Sequence, residues 1–134
     1  MDSERILASS QADNELVHQK LRRYNRQYMR DFQDFSYHIE RDGRLIAGVA
    51  AASTFETVEV EFLFVEEAFR GRGLGRRLLE QVERAGRDAG MKYVLLNTYS
   101  FQAPDFYRKM GYTELYCVRP CLGPYAQYFF WKTL

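Results

Sequence analysis

Residues 65–79 read Val-Glu-Glu-Ala-Phe-Arg-Gly-Arg-Gly-Leu-Gly-Arg-Arg-Leu-Leu, a pattern suited to holding a phosphate. Gly71, Gly73 and Gly75 let the chain turn tightly and bring its backbone against an anion. A helical pattern begins at once: Leu74, Leu78, Val82 and Ala85 recur every three or four residues, and Gly90 stands where a C-cap would. Unpaired N–H groups of the first turn and the positive end of the helix dipole would then face the anion. A Walker loop ends Gly-Lys-Ser/Thr, whereas this one ends Gly75-Arg76-Arg77. The dinucleotide fingerprint Gly-x-Gly-x-x-Gly fails by one residue, because its last position falls on Arg76. What remains is Arg70-x-x-Gly73-x-Gly75, a pattern that a Gly-rich turn with a solvated basic helix start would also satisfy.

Two other groups of residues invite chemistry. Residues 57–65 alternate as a strand, which places Val58, Val60, Phe62 and Phe64 on one face and Glu59, Glu61, Leu63 and Val65 on the other. Two carboxylates on such a face are costly if buried without a partner or a task. They therefore meet solvent, pair with arginines, or act. Downstream lies Ser100-Phe101-Gln102-Ala103-Pro104-Asp105-Phe106-Tyr107-Arg108-Lys109-Met110-Gly111-Tyr112. Ala103 and Tyr107 are four apart, hence on one face of a short helix that Gly111 ends. Taken alone, Tyr107 also reads as an amphipathic core tyrosine.

Together the two segments resemble two motifs of the GNAT superfamily of N-acetyltransferases. Arg70-x-x-Gly73-x-Gly75 is similar to its acetyl-CoA pyrophosphate motif, Gln/Arg-x-x-Gly-x-Gly/Ala. Residues 100–112 are similar to its Asn-x-x-Ala-x-x-x-Tyr-x-x-x-Gly-Phe/Tyr segment, with Ser100 where many relatives have Asn, a shorter reach for any contact to the pantetheine arm. The resemblance covers nearly the whole chain and is strongest from Val58 to Tyr112. It implies a small, bacterial-type, single-domain member spanning residues 1–134. The implied fold is α/β (α+β): a mixed, mostly antiparallel sheet of six to seven strands flanked by three to four helices. The implied co-substrate is acetyl-CoA, with Leu63, Phe64, Val65, Arg70, Gly71, Arg72, Gly73, Leu74, Gly75, Arg76, Ser100, Ala103, Phe106 and Tyr107 as its binding residues.

The implied reaction is direct acetyl transfer in a ternary complex to a primary amine of a small molecule or peptide, without a metal. An ammonium must lose a proton before it attacks. In the family the acidic residue eleven positions before the pyrophosphate motif can serve as base, which here is Glu59, with Glu61 one pleat nearer the cofactor. Either would act through water if burial lifts its pKa. Relatives hold the developing oxyanion with a backbone N–H from a bulge in the strand before the loop, here around Leu63 to Val65. Tyr107 is the implied acid for the leaving thiolate, because a phenol is neutral at working pH.

The elements that must position these residues follow from periodicity. A short strand is expected over 4–8, then a helix over 12–30 with Val17, Leu21, Tyr24 and Tyr28 on one face and Arg22, Arg26 and Arg30 on another. A hairpin over 35–40 and 45–54 turns at Asp42-Gly43. Residues 57–65 form the central strand, 74–89 the long helix and 92–97 a buried parallel strand. A short helix over 103–110 and strands near 112–118 and 126–133 complete the chain. The family builds its acceptor pocket from the first helix, the segment after it and the last two strands, which here carry Tyr24, Tyr28, Phe35, Tyr37, Tyr125, Tyr128, Phe129 and Trp131. Such rings suit an apolar or cationic amine, and core packing accounts for most of them equally well. The C-terminal aromatic run, together with the family's habit of pairing there, implies a homodimer.

Composition fits one soluble domain. A chain of 134 residues buries roughly two-thirds of the surface it exposes unfolded. Hydrophobic content of 46% and charged content of 28% are ordinary for a globule. A net charge of +1 offers no global steering towards nucleic acid or an anionic membrane. No apolar stretch approaches a membrane span and residues 1–4 lack signal-peptide character, so a cytoplasmic location is expected. Cys117 and Cys121 read as reduced thiols, since no histidine nearby completes a zinc set. Two other classes keep the same loop: a non-catalytic acyl-CoA-binding regulatory module, which needs neither base nor tyrosine, and a nucleic-acid domain using Arg70 to Arg77, which a steep salt dependence would reveal.

Overall fold

The computed structural model describes residues 3–29 and 32–134. The chain divides into two compact units, Met1–Asp31 and Phe32–Leu134. The first holds one helix, α1 (Gln11–Asn25). Its start is set by a reciprocal cap: the Asp13 N–H donates to Ser10 Oγ at 3.2 Å, and the Ser10 N–H donates to the Asp13 carboxylate at 2.9 Å. That second bond holds the Asp13 carboxyl below its ordinary pKa. No residue of α1 is buried, and Leu16, Val17, Leu21 and Tyr24 are all exposed. The helix stops before the expected end at residue 30: Tyr28 lies in the turn that follows, and Arg30 falls outside the described residues. The strand expected over 4–8 does not form; residues 3–10 have no regular structure. A strand exists only by pairing, and Ile6 and Leu7 are exposed instead.

The second unit is built on six strands: β1 (Tyr37–Arg41), β2 (Arg44–Thr54), β3 (Thr57–Val65), β4 (Tyr93–Tyr99), β5 (Thr113–Leu122) and β6 (Tyr125–Thr133). Their order is β1-β2-β3-β4-β6-β5, antiparallel throughout except for β3 with β4. The mixed, mostly antiparallel sheet is therefore as expected, with three α-helices among the described residues. Asp42 and Gly43 make the β1–β2 turn with φ of 52° and 75°, the left-handed pair that a two-residue hairpin requires and Asp-Gly tolerates. Crossing from β3 to the parallel β4 needs a helix, and α2 (Leu74–Asp88) supplies it. Leu78, Leu79 and Val82 of α2 are buried in one core with Val58, Val94 and Phe130 of the sheet. α3 (Pro104–Lys109) joins the same core through Tyr107. β5 is the free C-terminal edge and β6 lies inside the sheet.

Strict alternation along β3 fails at one point. Ala50 pairs with Phe62 and Ala51 with Val60, so Glu61 is an extra residue, a β-bulge. Val58 and Val60 are buried, but beyond the bulge it is Leu63 and Val65 that turn inward, against the start of α2 at Gly75. Phe62 and Phe64, expected on the face of Val58 and Val60, are exposed on the opposite face. One inserted residue exchanges the faces of everything after it.

A polar link crosses this core. Glu83 of α2, 3% exposed, accepts from the Tyr112 hydroxyl at 2.8 Å and from Lys132 Nζ at 3.0 Å. Burial, and then the Glu83 charge, push the Tyr112 phenol far above its ordinary range. Replacing Tyr112 by Phe leaves one carboxylate oxygen of Glu83 without its donor, which should cost about 1–3 kcal/mol. Urea denaturation of Tyr112→Phe measures this directly. A loss under ~0.5 kcal/mol would mean that water replaces the phenol at once.

Candidate active site

Parallel pairing of β3 with β4 runs from Thr57↔Tyr93 to Val60↔Leu96 and stops. Beyond it β3 continues to Val65 and β4 to Tyr99, with no ladder between them. The strands part, and the backbone of each faces a gap. On its other edge β3 stays paired with β2, and the Glu66 N–H donates to the Ile46 carbonyl at 2.9 Å. Antiparallel pairs alternate in the direction of their bonds, so Phe64 and Phe62 also turn their N–H groups towards β2. The N–H groups of Leu63 and Val65 point the other way, into the gap.

At the end of the gap β3 gives way to a 3-10 turn (Glu67–Phe69) and the glycine loop. Gly71 and Gly73 both sit at φ +78°, and a Cβ built on either would meet no atom within 4 Å. The space above them is open. Gly73 is the N-cap of α2, and the helix's first bond runs from the Arg77 N–H to the Gly73 carbonyl at 3.0 Å. The N–H groups of Leu74, Gly75 and Arg76 therefore have no acceptor within the helix. Open space beside oriented N–H groups is the kind of place an anion can occupy.

The arginines flank the cradle instead of filling it. Arg70 Nε donates to the Val65 carbonyl at 2.9 Å and its guanidinium lies over the Phe64 ring. Arg72 stacks over Phe69. Arg76 pairs with Glu80 at 2.8 Å, which raises the arginine's pKa and lowers the glutamate's. Gly75 differs from the other two glycines: a Cβ there would touch Phe106 Cζ and Val65 Cγ2 at 3.7 Å, so at this point the loop, β3 and α3 converge.

α3 is held at both ends. The Ala103 N–H, at its N-cap, donates to Thr98 Oγ1 at 3.3 Å, while Gln102 Oε1 accepts from the Tyr99 N–H at 2.9 Å. At the other end Gly111, φ +89°, lets the Tyr112 N–H return to the Tyr107 carbonyl at 3.0 Å. Ser100 is tied to β6: its N–H donates to the Ala126 carbonyl at 2.8 Å and its Oγ accepts the Ala126 N–H at 3.0 Å. Tyr107 is buried, edge-on to the rings of Phe106 and Tyr112. Burial pushes its phenol up to about 12. Among the described residues every fully buried side-chain polar atom has a hydrogen-bond partner. The Tyr107 hydroxyl has none among them, so its oxygen borders open space.

Glu59 and Glu61 are exposed, and neither makes an ion pair among the described residues. Both meet solvent, so among the described residues neither the pairing with arginines nor the burial expected for a base is present. Cys117 and Cys121 are free. Among the described residues no cluster of His, Cys, Asp or Glu is placed to hold a metal ion, and no helix is long and apolar enough to cross a membrane. The supporting residues Thr98, Gln102, Glu83 and Lys132 escaped the sequence reading. Glu83 did leave a signal: it is a charge four residues after Leu79, inside the apolar stripe of α2.

A model of the acetyltransferase (GNAT) family matches residues 4–112, and the chain belongs to that family. It is 35% identical over 78 residues to a blasticidin-S acetyltransferase of Streptomyces morookaense, covering 58% of this chain and 57% of that one. It is 42% identical over 70 residues to an IAA acetyltransferase of Azospirillum brasilense, covering 51% and 43%. The matched segment thus spans about half the length of these curated relatives. A solved acetyltransferase structure from Bacillus cereus superposes with a TM-score of 0.86 at 30% identity, over 98% of both chains. A streptothricin acetyltransferase from Bacillus anthracis, solved with acetyl-CoA, shares the fold at a TM-score of 0.68 and 16% identity, over 81% of this chain and 67% of that one.

The two buried phenols make stability pH-dependent in a defined window. A tyrosine with an ordinary pKa of ~10 in the unfolded chain and about 12 when folded at Tyr107 favours the folded state fully below pH ~10. That contribution is lost as pH rises from ~10 towards 12, because the unfolded chain ionises first. Urea midpoints taken between pH 9 and 11.5 should fall, and fall less steeply in Tyr107→Phe. Parallel curves for the parent and the variant would show that Tyr107 does not titrate above its unfolded value.

Proposed function

We propose that this chain is an acetyl-CoA-dependent N-acetyltransferase that moves an acetyl group to a primary amine of a small molecule or peptide by direct attack in a ternary complex. The observation that carries the reading is the parting of β3 from β4 beside the open glycine cradle, with a buried phenol beyond it. In the proposed complex, the backbone N–H groups from Gly71 to Arg76 hold the pyrophosphate, and Leu63, Phe64 and Val65 take the pantetheine arm along the gap. Ser100, Ala103 and Phe106 line the arm's other side. The open space above Gly71 and Gly73, beside first-turn N–H groups without helical acceptors, supports a backbone cradle over a nucleic-acid surface, which needs a broad basic stripe that a net charge of +1 does not suggest.

Acetyl-CoA supplies the activated thioester. The protein orients it, receives charge and moves two protons. The inward N–H groups of Leu63 and Val65 are preorganised donors for negative charge on the carbonyl oxygen. As the C–S bond breaks, Tyr107, neutral up to about pH 12, gives its proton to the departing thiolate and regains the proton that the nitrogen sheds as the amide forms. Glu59 or Glu61 takes the amine's proton through water, a route that suits exposed carboxylates.

Gly73→Val places a branched side chain in the open cradle and strains a left-handed residue by roughly 1–2 kcal/mol. Calorimetry with acetyl-CoA should show binding by the parent and at least a tenfold loss in the variant. Equal affinity in a folded Gly73→Val protein would refute the cradle. The rate should rise with pH as the amine or its acceptor base loses a proton, and the limb should shift or flatten in Glu59→Gln/Glu61→Gln. Parental rates and an unchanged pH profile in that double variant would leave proton removal to bulk water.

A further inference from the structure

Glu83 lies in the middle of α2, the helix whose first turn is the glycine cradle. Through Lys132 it reaches α3: Lys132 Nζ donates to Glu83 Oε1 at 3.0 Å and to the Met110 carbonyl, at the C-cap of α3, at 2.8 Å. Tyr112 donates to the other Glu83 oxygen and stands edge-on to the Tyr107 ring, with centroids 5.9 Å apart. As a stabiliser this arrangement is a poor choice. Desolvating a carboxylate and an ammonium offsets most of their attraction, and an apolar pair of equal volume often does as well or better. An apolar pair, however, fixes no direction. One ammonium with two fixed acceptors sets both a distance and an angle between α2 and the end of α3.

α3 needs that anchor. At six residues it is far too short to hold its own shape in water. Thr98 and Gln102 secure its N-terminal side, and Lys132 secures its last turn. Tyr107 sits between the two fastenings. We propose that Glu83 and Lys132 are positioning residues for the Tyr107 phenol, fixing the span between the phosphate cradle at the start of α2 and the proton donor on α3. This rests on the reading of Tyr107 as the acid. A thioester arm anchored at its pyrophosphate delivers its sulfur to one place, and a misplacement of about 1 Å there costs on the order of 10²-fold in rate.

The test uses hydroxylamine as the acceptor, a small nucleophile that is uncharged at neutral pH and requires neither acceptor pocket nor base, with release of free CoA from acetyl-CoA as the readout. Glu83→Gln/Lys132→Met removes the buried carboxylate and the half-buried ammonium and nearly preserves both volumes, and the introduced amide can still accept from Tyr112. This pair variant should bind acetyl-CoA within threefold of the parent by calorimetry and release CoA at least tenfold more slowly. In a Tyr107→Phe background the same pair of changes should add less than twofold. A folded pair variant within threefold of the parental rate overturns the proposal. So does an equal drop in both backgrounds, which is what general loosening produces. If the pair variant does not fold, Glu83→Gln alone retains the Lys132–Met110 bond: a drop of threefold or more that vanishes in Tyr107→Phe supports positioning, and a smaller drop overturns it. A slow Tyr107→Phe beside a fast pair variant refutes positioning alone. A Tyr107→Phe protein at the parental rate refutes the acid, and the positioning with it.

Discussion

Parallel pairing of β3 with β4 ends after Val60↔Leu96, and the candidate site lies where it ends. Two strands that separate within a sheet leave backbone donors and acceptors unpaired, at a cost comparable to lost hydrogen bonds unless water or a ligand satisfies them. The cost is bearable because β3 stays paired with β2, and β4 with β6, along their outer edges. The gap therefore has two firm walls. A ligand arm laid along it can replace the missing ladder, which gives an extended thiol-bearing chain both a track and a direction.

The anion cradle follows from the same geometry. A helix that must cross from β3 to a parallel neighbour starts at the C-terminal end of β3, so its first turn faces the mouth of the gap. Gly73 at φ +78° makes that turn without a side chain in the way. Arg70, Arg72 and Arg76 are engaged along the flanks, and the fold fixes the positions of the first-turn N–H groups between them.

The placement of Tyr107 depends on longer-range support. Tyr107 belongs to a helix of six residues, and its pKa of about 12 comes from burial alone. Burial of that kind persists only while α3 stays against the core formed by Leu79, Val82 and Phe130. Buried Glu83 and Tyr112 and half-buried Lys132 tie these parts together with directed bonds, at a place where apolar packing would leave more freedom.

Local chemistry was enough to place what depends on neighbours in sequence. Arg70-x-x-Gly73-x-Gly75 located the cradle, Asp42-Gly43 the hairpin turn, residues 57–65 the central strand, and Ala103 with Tyr107 the face of α3, because turn geometry and periodicity are properties of short stretches. Pairing is not such a property. The bulge at Glu61 arises only where β3 meets β2, so alternation alone put Phe62 and Phe64 on the wrong face. The strand expected over 4–8 needed a partner edge and found none. Glu83 and Lys132 are far apart in the chain, and only the packing of α2 under β6 makes them a pair. Local motifs in the sequence alone singled out the candidate residues; the gap between β3 and β4, the exposure of Glu59 and Glu61, and the Glu83–Lys132–Tyr112 contacts were decided by tertiary structure, where pairing register and burial are set by residues distant along the chain.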